Sequence, residues 1–233
     1  MTKAVFFDVD FTLIYPGPVF QGEGYREFCA KHGMVVEVDV FDAAVRGASH
    51  ILDEPEDPFY DPQMFIDYVK RIVEQMGGRG PGVDACALEI YEAWSACQHF
   101  MLYDDVPIAL GELAARNVRV GLISNSHRSL EAFQRYFALD GLIDAAISSS
   151  EYGYMKPHPG IFEAALRLLD VQPTEAMMVG DSFKQDIDGA RRAGMRGVLL
   201  RRPGARDAPG CGDADGLDGV VVIQSLAELP RLL

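Results

Sequence analysis

The chain has 233 residues, 48% of them hydrophobic, and a formal net charge of −14. That length and apolar content suit one large domain or one domain carrying an insertion, and so acidic a balance argues against nucleic acid as a partner. No apolar run reaches the roughly 20 residues of a membrane span, and no basic stretch leads into an apolar one at the N-terminus, so the expectation is a cytoplasmic protein with no membrane partner.

Lys3 to Val9 reads as a short, continuously apolar strand of the kind buried on both faces in a parallel sheet. The next strand candidate is Val118 to Ser124. Between them, apolar positions recur at three- and four-residue spacing in Gly24 to Lys31, Val40 to Leu52, Pro62 to Met76 and Asp84 to Phe100, which predicts four helices. The breaker clusters "DEPEDP" and "GGRGPG" separate them. Residues 16–100 hold 15 acids and 6 bases, read as a solvated face.

After Tyr103 the pattern alternates: helices over Val106 to Arg116, Ser129 to Ala138, Gly160 to Leu169 and Gln185 to Ala193, with strands in "VRVGLIS", "LIDAAIS", "AMMVG" and "RGVLL", then a last "GVVVI" strand and a short helix. Such alternation predicts an α/β fold, a doubly wound parallel sheet, with an inserted all-α four-helix domain. The predicted division is 1–15 and 101–233 for the sheet domain and 16–100 for the insert. The acidic "DADGLDG" loop fails the spacing of a calcium loop and reads as surface. Cys29, Cys86, Cys97 and Cys211 lack metal or CxxC spacing and imply neither zinc nor a disulfide framework.

In such a sheet, ligands bind beyond the carboxyl ends of the strands. Those positions are polar here: Asp8, Asp10 and Thr12 after the first strand, Ser124 and Asn125 after the second, Lys156 in the loop beyond the third, Asp181, Ser182 and Asp186 after the fourth. Four aspartates converging on one rim repel one another unless a cation joins them. An all-oxygen donor set selects Mg²⁺ over zinc, and Mg²⁺ commonly retains water and a substrate phosphate. Lys156, the Ser124 hydroxyl and the amides of Asn125 and Ser126, taken to open the next helix, complete an anion pocket. An ionised aspartate beside it can attack phosphorus in line.

Each residue also has a plainer reading. Asp8 alone is a turn former, Ser124 and Asn125 are helix caps, and Asp186 complements a helix dipole. His158, between two prolines, reads as a local hydrogen-bonding residue rather than a base. Phe59, Tyr60, Phe65 and Tyr68 read as helical packing before a substrate-facing cluster.

Taken in order, "DVDFT", "LISNS", "MKP" and "VGDSFKQD" resemble the four motifs of the haloacid dehalogenase superfamily of hydrolases, and the helical insert falls where one branch of that family carries its cap. The resemblance implies a Rossmann-like core and a Mg²⁺-dependent phosphohydrolase acting on a small phosphorylated metabolite. It implies Asp8 as nucleophile, Asp10 as general acid/base, Thr12 and Ser124 orienting the acid and the phosphate, and Lys156 neutralising phosphate and nucleophile. Asp181, Asp8 and the Asp10 backbone carbonyl would hold the metal, with Asp186 supporting it or Lys156. Arg46, His50 and Tyr60 in the insert, and His127 and Arg128 in the core, are candidate substrate contacts. The competing readings are a 2-haloacid dehalogenase, which Asp10 argues against, a phosphonatase, a mutase, and a phosphoacceptor or regulatory protein without turnover. A monomer or homodimer is expected. Phe11 stands where the family often has glycine, and predicts an ordinary backbone with negative φ.

Overall fold

A computed structural model of the chain describes residues 1–53, 58–203 and 219–233, the Asp53 side chain excepted. Most of "DEPEDP" and nearly all of the acidic "DADGLDG" loop therefore lie outside the described residues. The strands are β1 (Ala4–Phe7), β2 (Ile14–Pro16), β3 (Phe100–Leu102), β4 (Arg119–Ser124), β5 (Ala145–Ser148), β6 (Ala176–Gly180), β7 (Arg196–Leu200) and β8 (Val221–Ile223). Six of them form one sheet in the order β5-β4-β1-β6-β7-β8, every neighbouring pair parallel, while β2 and β3 make a separate pair.

The chain divides into two compact units, Met1–Tyr15 with Pro58–Tyr60 and Leu102–Leu233, and Pro16–Asp57 with Asp61–Met101. The first holds the sheet. Strands β1 and β6 are buried along their whole length, which is why their sequences are uninterruptedly apolar: helices cover both faces. One such layer packs Ile161, Phe162, Ala165 and Leu166 of a helix over Pro159–Leu168 against Ala4, Phe6, Ile123 and Met178. From β1 the chain moves outward to β4 and β5, then returns to β6 on the other side of β1 and continues to β7 and β8. The β1/β6 crevice is thus the topological switch point, where an open α/β sheet presents its ligand site.

The second unit is helical: α1 (Gly22–Lys31), α2 (Phe41–Ala48), α3 (His50–Asp53), α4 (Pro62–Gln75) and α5 (Val83–Ala93). Helix α4 starts where Asp61 accepts from the Gln63 N–H and Pro62 takes the first position, and it buries Phe65, Tyr68, Val69, Ile72 and Val73 as one stripe. Phe65 and Tyr68 are thus core residues of this unit. Two predicted helices differ from the structure. The 40–52 helix is broken because the Ser49 amide and hydroxyl both return to the Arg46 carbonyl. The 84–100 helix ends at Ala93, where Ser95 folds back on Glu92 by amide and hydroxyl alike.

Pro58–Tyr60 pairs within the first unit. Phe59 bridges Tyr154 in antiparallel fashion, Tyr60 N–H donates to the Gly153 carbonyl at 2.9 Å, and Met155 N–H donates to Pro58 at 2.8 Å. No helix among the described residues is long and apolar enough to cross a membrane.

Candidate active site

Strand β1 ends at Phe7, and its ladder runs on for one bond, from the Asp8 N–H to the Val179 carbonyl of β6 at 2.9 Å. That bond holds Asp8 in the switch-point crevice with its side chain 11% exposed. The chain then reverses: the Leu13 and Ile14 amides both return to the Val9 carbonyl, and the Phe11 amide donates to Ile14 at 2.6 Å. Closing this turn places Phe11 at φ 61°, in the left-handed region, which corrects the negative φ expected from its side chain. The backbone bonds of the turn outweigh the local steric preference of about 1 kcal/mol or somewhat more.

Lys156, 2% exposed, joins the ends of two strands. Its Nζ donates to Asp8 Oδ1 at 2.6 Å and to Asp186 Oδ1 at 2.7 Å. Asn125 clamps the Lys156 backbone from both sides, accepting from its N–H at 2.8 Å and donating to its carbonyl at 3.0 Å. The helix after β4, α6 being Val106–Ala115 and α7 Leu130–Tyr136, begins only at Leu130, capped by Ser129. The amides of Asn125 and Ser126 therefore lie in a loop, and the expectation that they open a helix is corrected. Ser124 is buried and shares a 2.9 Å hydrogen bond with the Ser126 hydroxyl.

Asp186 accepts from Lys156 with one oxygen and from the Ser182 N–H, at 3.0 Å, with the other. That second oxygen occupies the space a Cβ on Gly180 would need, the two lying 2.1 Å apart, so β6 must end on glycine. Asp181 accepts from the Thr12 hydroxyl at 3.0 Å, and its backbone carbonyl accepts from Arg201. Thr12 thus orients Asp181, where the resemblance implied that it orients the acid. Its own carbonyl accepts from Arg202 at 2.9 Å, and the same guanidinium lies 3.7 Å over the Tyr103 ring and forks onto Asp105. Sequence reading missed this brace, whose partners lie far apart in the chain, and the Gly180 requirement, which depends on how the Asp186 side chain folds back over the end of β6.

Carboxylate oxygens of Asp8, Asp181 and Asp186 lie within 4.8 Å of one another. Burial lifts the Asp8 carboxyl to about 7, with Asp186 and Asp10 adding to the lift and Lys156 opposing it. Burial, then the charges of Asp8 and Asp186, hold Asp181 well above the usual carboxylate range. Burial also disfavours the Lys156 ammonium, but Asp186 and Asp8 outweigh it and keep it above its ordinary value. Three crowded carboxylates, two of them lifted by burial and by their neighbours' charge and all offering hard oxygen, fit a divalent cation. The Asp10 carboxylate lies outside that cluster and is gripped instead by Arg128.

The remaining candidates are scattered. His127 is half-buried in the sheet unit, and Tyr60 belongs to the same unit. Arg46 and His50 are exposed on α2 and α3 of the helical unit. His158 caps the helix at Pro159, accepting from the Gly160 N–H at 3.1 Å, and stacks on Tyr154, which is the local role expected of it.

Residues 2–194 match the family model of haloacid dehalogenase-like hydrolases. Haloacid dehalogenase-like hydrolase domain-containing protein 3 of Homo sapiens is 30% identical over 80% of this chain and 77% of its own. Glyceraldehyde 3-phosphate phosphatase of Methanothermobacter thermautotrophicus is 28% identical over the whole of both chains. Among solved structures, a 2-haloacid dehalogenase from Pseudomonas syringae pv. Tomato superposes with a TM-score of 0.64 at 27% identity, covering 100% of this chain and 98% of that one.

Proposed function

The chain belongs to the haloacid dehalogenase-like hydrolases, and on that premise we propose that it is a Mg²⁺-dependent phosphohydrolase of a small phosphorylated metabolite, working through an aspartyl-phosphate. The observation that carries this reading is the pair Asp8 and Asp10. Asp8 is buried against Lys156 at 2.6 Å beside two further carboxylates, while Asp10, two residues on, is outside that cluster and 32% exposed at its side chain. That difference supports a reading in which one carboxylate attacks and the other exchanges protons with solvent and the leaving group.

In the proposed reaction an Asp8 oxygen attacks phosphorus and the bond to the leaving oxygen breaks, that oxygen taking a proton from Asp10. Water then attacks the phosphoryl group, gives its proton to Asp10, and the bond to Asp8 breaks, releasing inorganic phosphate. Lys156 neutralises Asp8 and the incoming phosphoryl oxygens. Asn125 keeps the lysine in place through its backbone, and Thr12 holds Asp181. Asp8, Asp181 and Asp186, with the Asp10 backbone carbonyl, would hold Mg²⁺, which when bound screens the charge of the transferred group. The names of relatives such as glyceraldehyde 3-phosphate phosphatase support a phosphorylated substrate of that small size.

Phosphate release from a panel of phosphorylated metabolites with Mg²⁺ tests the reading, with Asp8→Asn as the control that must lose it. The likeness to a 2-haloacid dehalogenase favours a second reading, in which Asp8 attacks carbon. Halide release from 2-haloacids without added metal, and no phosphate release from the panel, would put that reading in place of the first.

A further inference from the structure

Asp10 is held by Arg128. The guanidinium forks onto the carboxylate, Nη1 donating to Asp10 Oδ2 and Nη2 to Asp10 Oδ1, both at 3.1 Å. The two ends of this pair differ: the Arg128 side chain is 2% exposed and that of Asp10 is 32% exposed. The arginine is anchored in the sheet unit, in the loop between β4 and α7, and the carboxylate it grips reaches solvent. A stabilising role alone accounts poorly for this arrangement. Burying a guanidinium carries a desolvation cost, and a pair whose acid is a third exposed returns little of it.

Resting on the phosphatase reading above, we infer that Arg128 is a positioning residue for Asp10. Asp10 lies three residues past the end of β1 and just before the left-handed Phe11, with its side chain 32% exposed. A planar fork fixes the plane of the carboxylate as well as its place, which a lysine point charge does not. Each oxygen accepts one N–H and keeps a second lone pair, so the gripped carboxylate still carries a proton to the leaving oxygen and takes one from water. The benefit is geometric: proton transfer needs the acid within hydrogen-bonding reach of the departing oxygen as the bond breaks. This role replaces the direct substrate contact expected for Arg128 from its place in the sequence.

The test is the dependence of kcat/KM on the leaving group. This parameter covers events up to transfer of phosphorus to Asp8, so it reports the acid step and not the later attack of water. Alkyl phosphates need their oxygen protonated as it departs, whereas p-nitrophenyl phosphate does not. In Arg128→Ala the alkyl-to-aryl ratio of kcat/KM should fall about tenfold or more, as part of what a positioned acid contributes. Arg128→Lys, which keeps the charge without the fork, should lower the same ratio by a smaller factor and serves if the alanine variant does not fold. In an Asp10→Asn background, Arg128→Ala should leave the ratio unmoved, because the group being positioned is gone.

Equal losses on both leaving groups in a folded variant would overturn the inference and leave Arg128 a structural residue. A rise in KM confined to substrates bearing a second anionic group would also overturn it, making Arg128 a substrate contact. If the unmutated protein hydrolyses neither class of ester, the phosphatase reading itself fails, a result visible before any variant is made.

Discussion

Asp8 and Phe11 are three residues apart and differ in what their sequence reveals. Asp8 ends an apolar strand and is followed by a second carboxylate, a local pattern that foretells an unusual carboxyl, and burial duly lifts it to about 7. Asp8→Asn should abolish phosphate release, by about 10⁴-fold or more for a lost nucleophile. Its melting temperature should not fall, since the substitution removes a charge that burial disfavours; circular dichroism checks this. Phe11 misleads because an aromatic side chain argues against positive φ, yet the bonds from Phe11 to Ile14 and from Leu13 and Ile14 to Val9 impose it. Phe11→Gly should therefore be more stable than Phe11→Ala by about 1 kcal/mol in urea unfolding, both variants having lost the same ring. Arg128 was legible as a polar residue near the site, but its partner Asp10 lies 118 positions away and nothing local names it.

Among elements, those with one dominant signal were read most closely. Strands β6 and β7 coincide with their predicted spans and β4 starts one residue after its own, at Arg119 rather than Val118, because continuous apolar runs bounded by polar residues have one reading in an α/β chain. Helix ends were less legible. Ser49 and Ser95 stop helices by turning their hydroxyls back onto carbonyls three residues earlier, a choice that apolar periodicity does not record. Gly180 shows how an element end is set by a partner: β6 stops on glycine because the Asp186 carboxylate fills the space of a Cβ. Gly180→Ala should push Asp186 away from Ser182 and Lys156. The expected outcome is a stability loss of about 1–3 kcal/mol in chemical denaturation, together with lower phosphatase activity.

For the molecule as a whole, the buried carboxylates couple the site to stability. Asp8 and Asp181 both have raised folded values, so between about 4 and 7 the folded chain binds more protons than the unfolded one. Their contribution is then most favourable at low pH and is lost as pH rises through that window. The Lys156 ammonium acts in the same sense only in the alkaline range, because its value is raised above the ordinary lysine value. Without metal, the part of the melting temperature that depends on these carboxylates should decline from pH 5 to pH 8. Mg²⁺ should raise the melting temperature more at pH 8 than at pH 5, since it binds the deprotonated cluster. A scanning fluorimetry series with and without EDTA measures both effects, and an equal Mg²⁺ response at the two pH values would contradict the proposed ligand set. Residue order alone settles the α/β class, the helical insertion and the identity of the strand-end carboxylates, because apolar periodicity and polar strand ends are local properties of the chain. Only the three-dimensional structure decides that Asp186 requires Gly180, because the fold of the loop after β6 sets that close approach, and that Thr12 serves Asp181 and Arg128 grips Asp10, because hydrogen-bond partners far apart in sequence are chosen by the parallel sheet that brings its strand ends together.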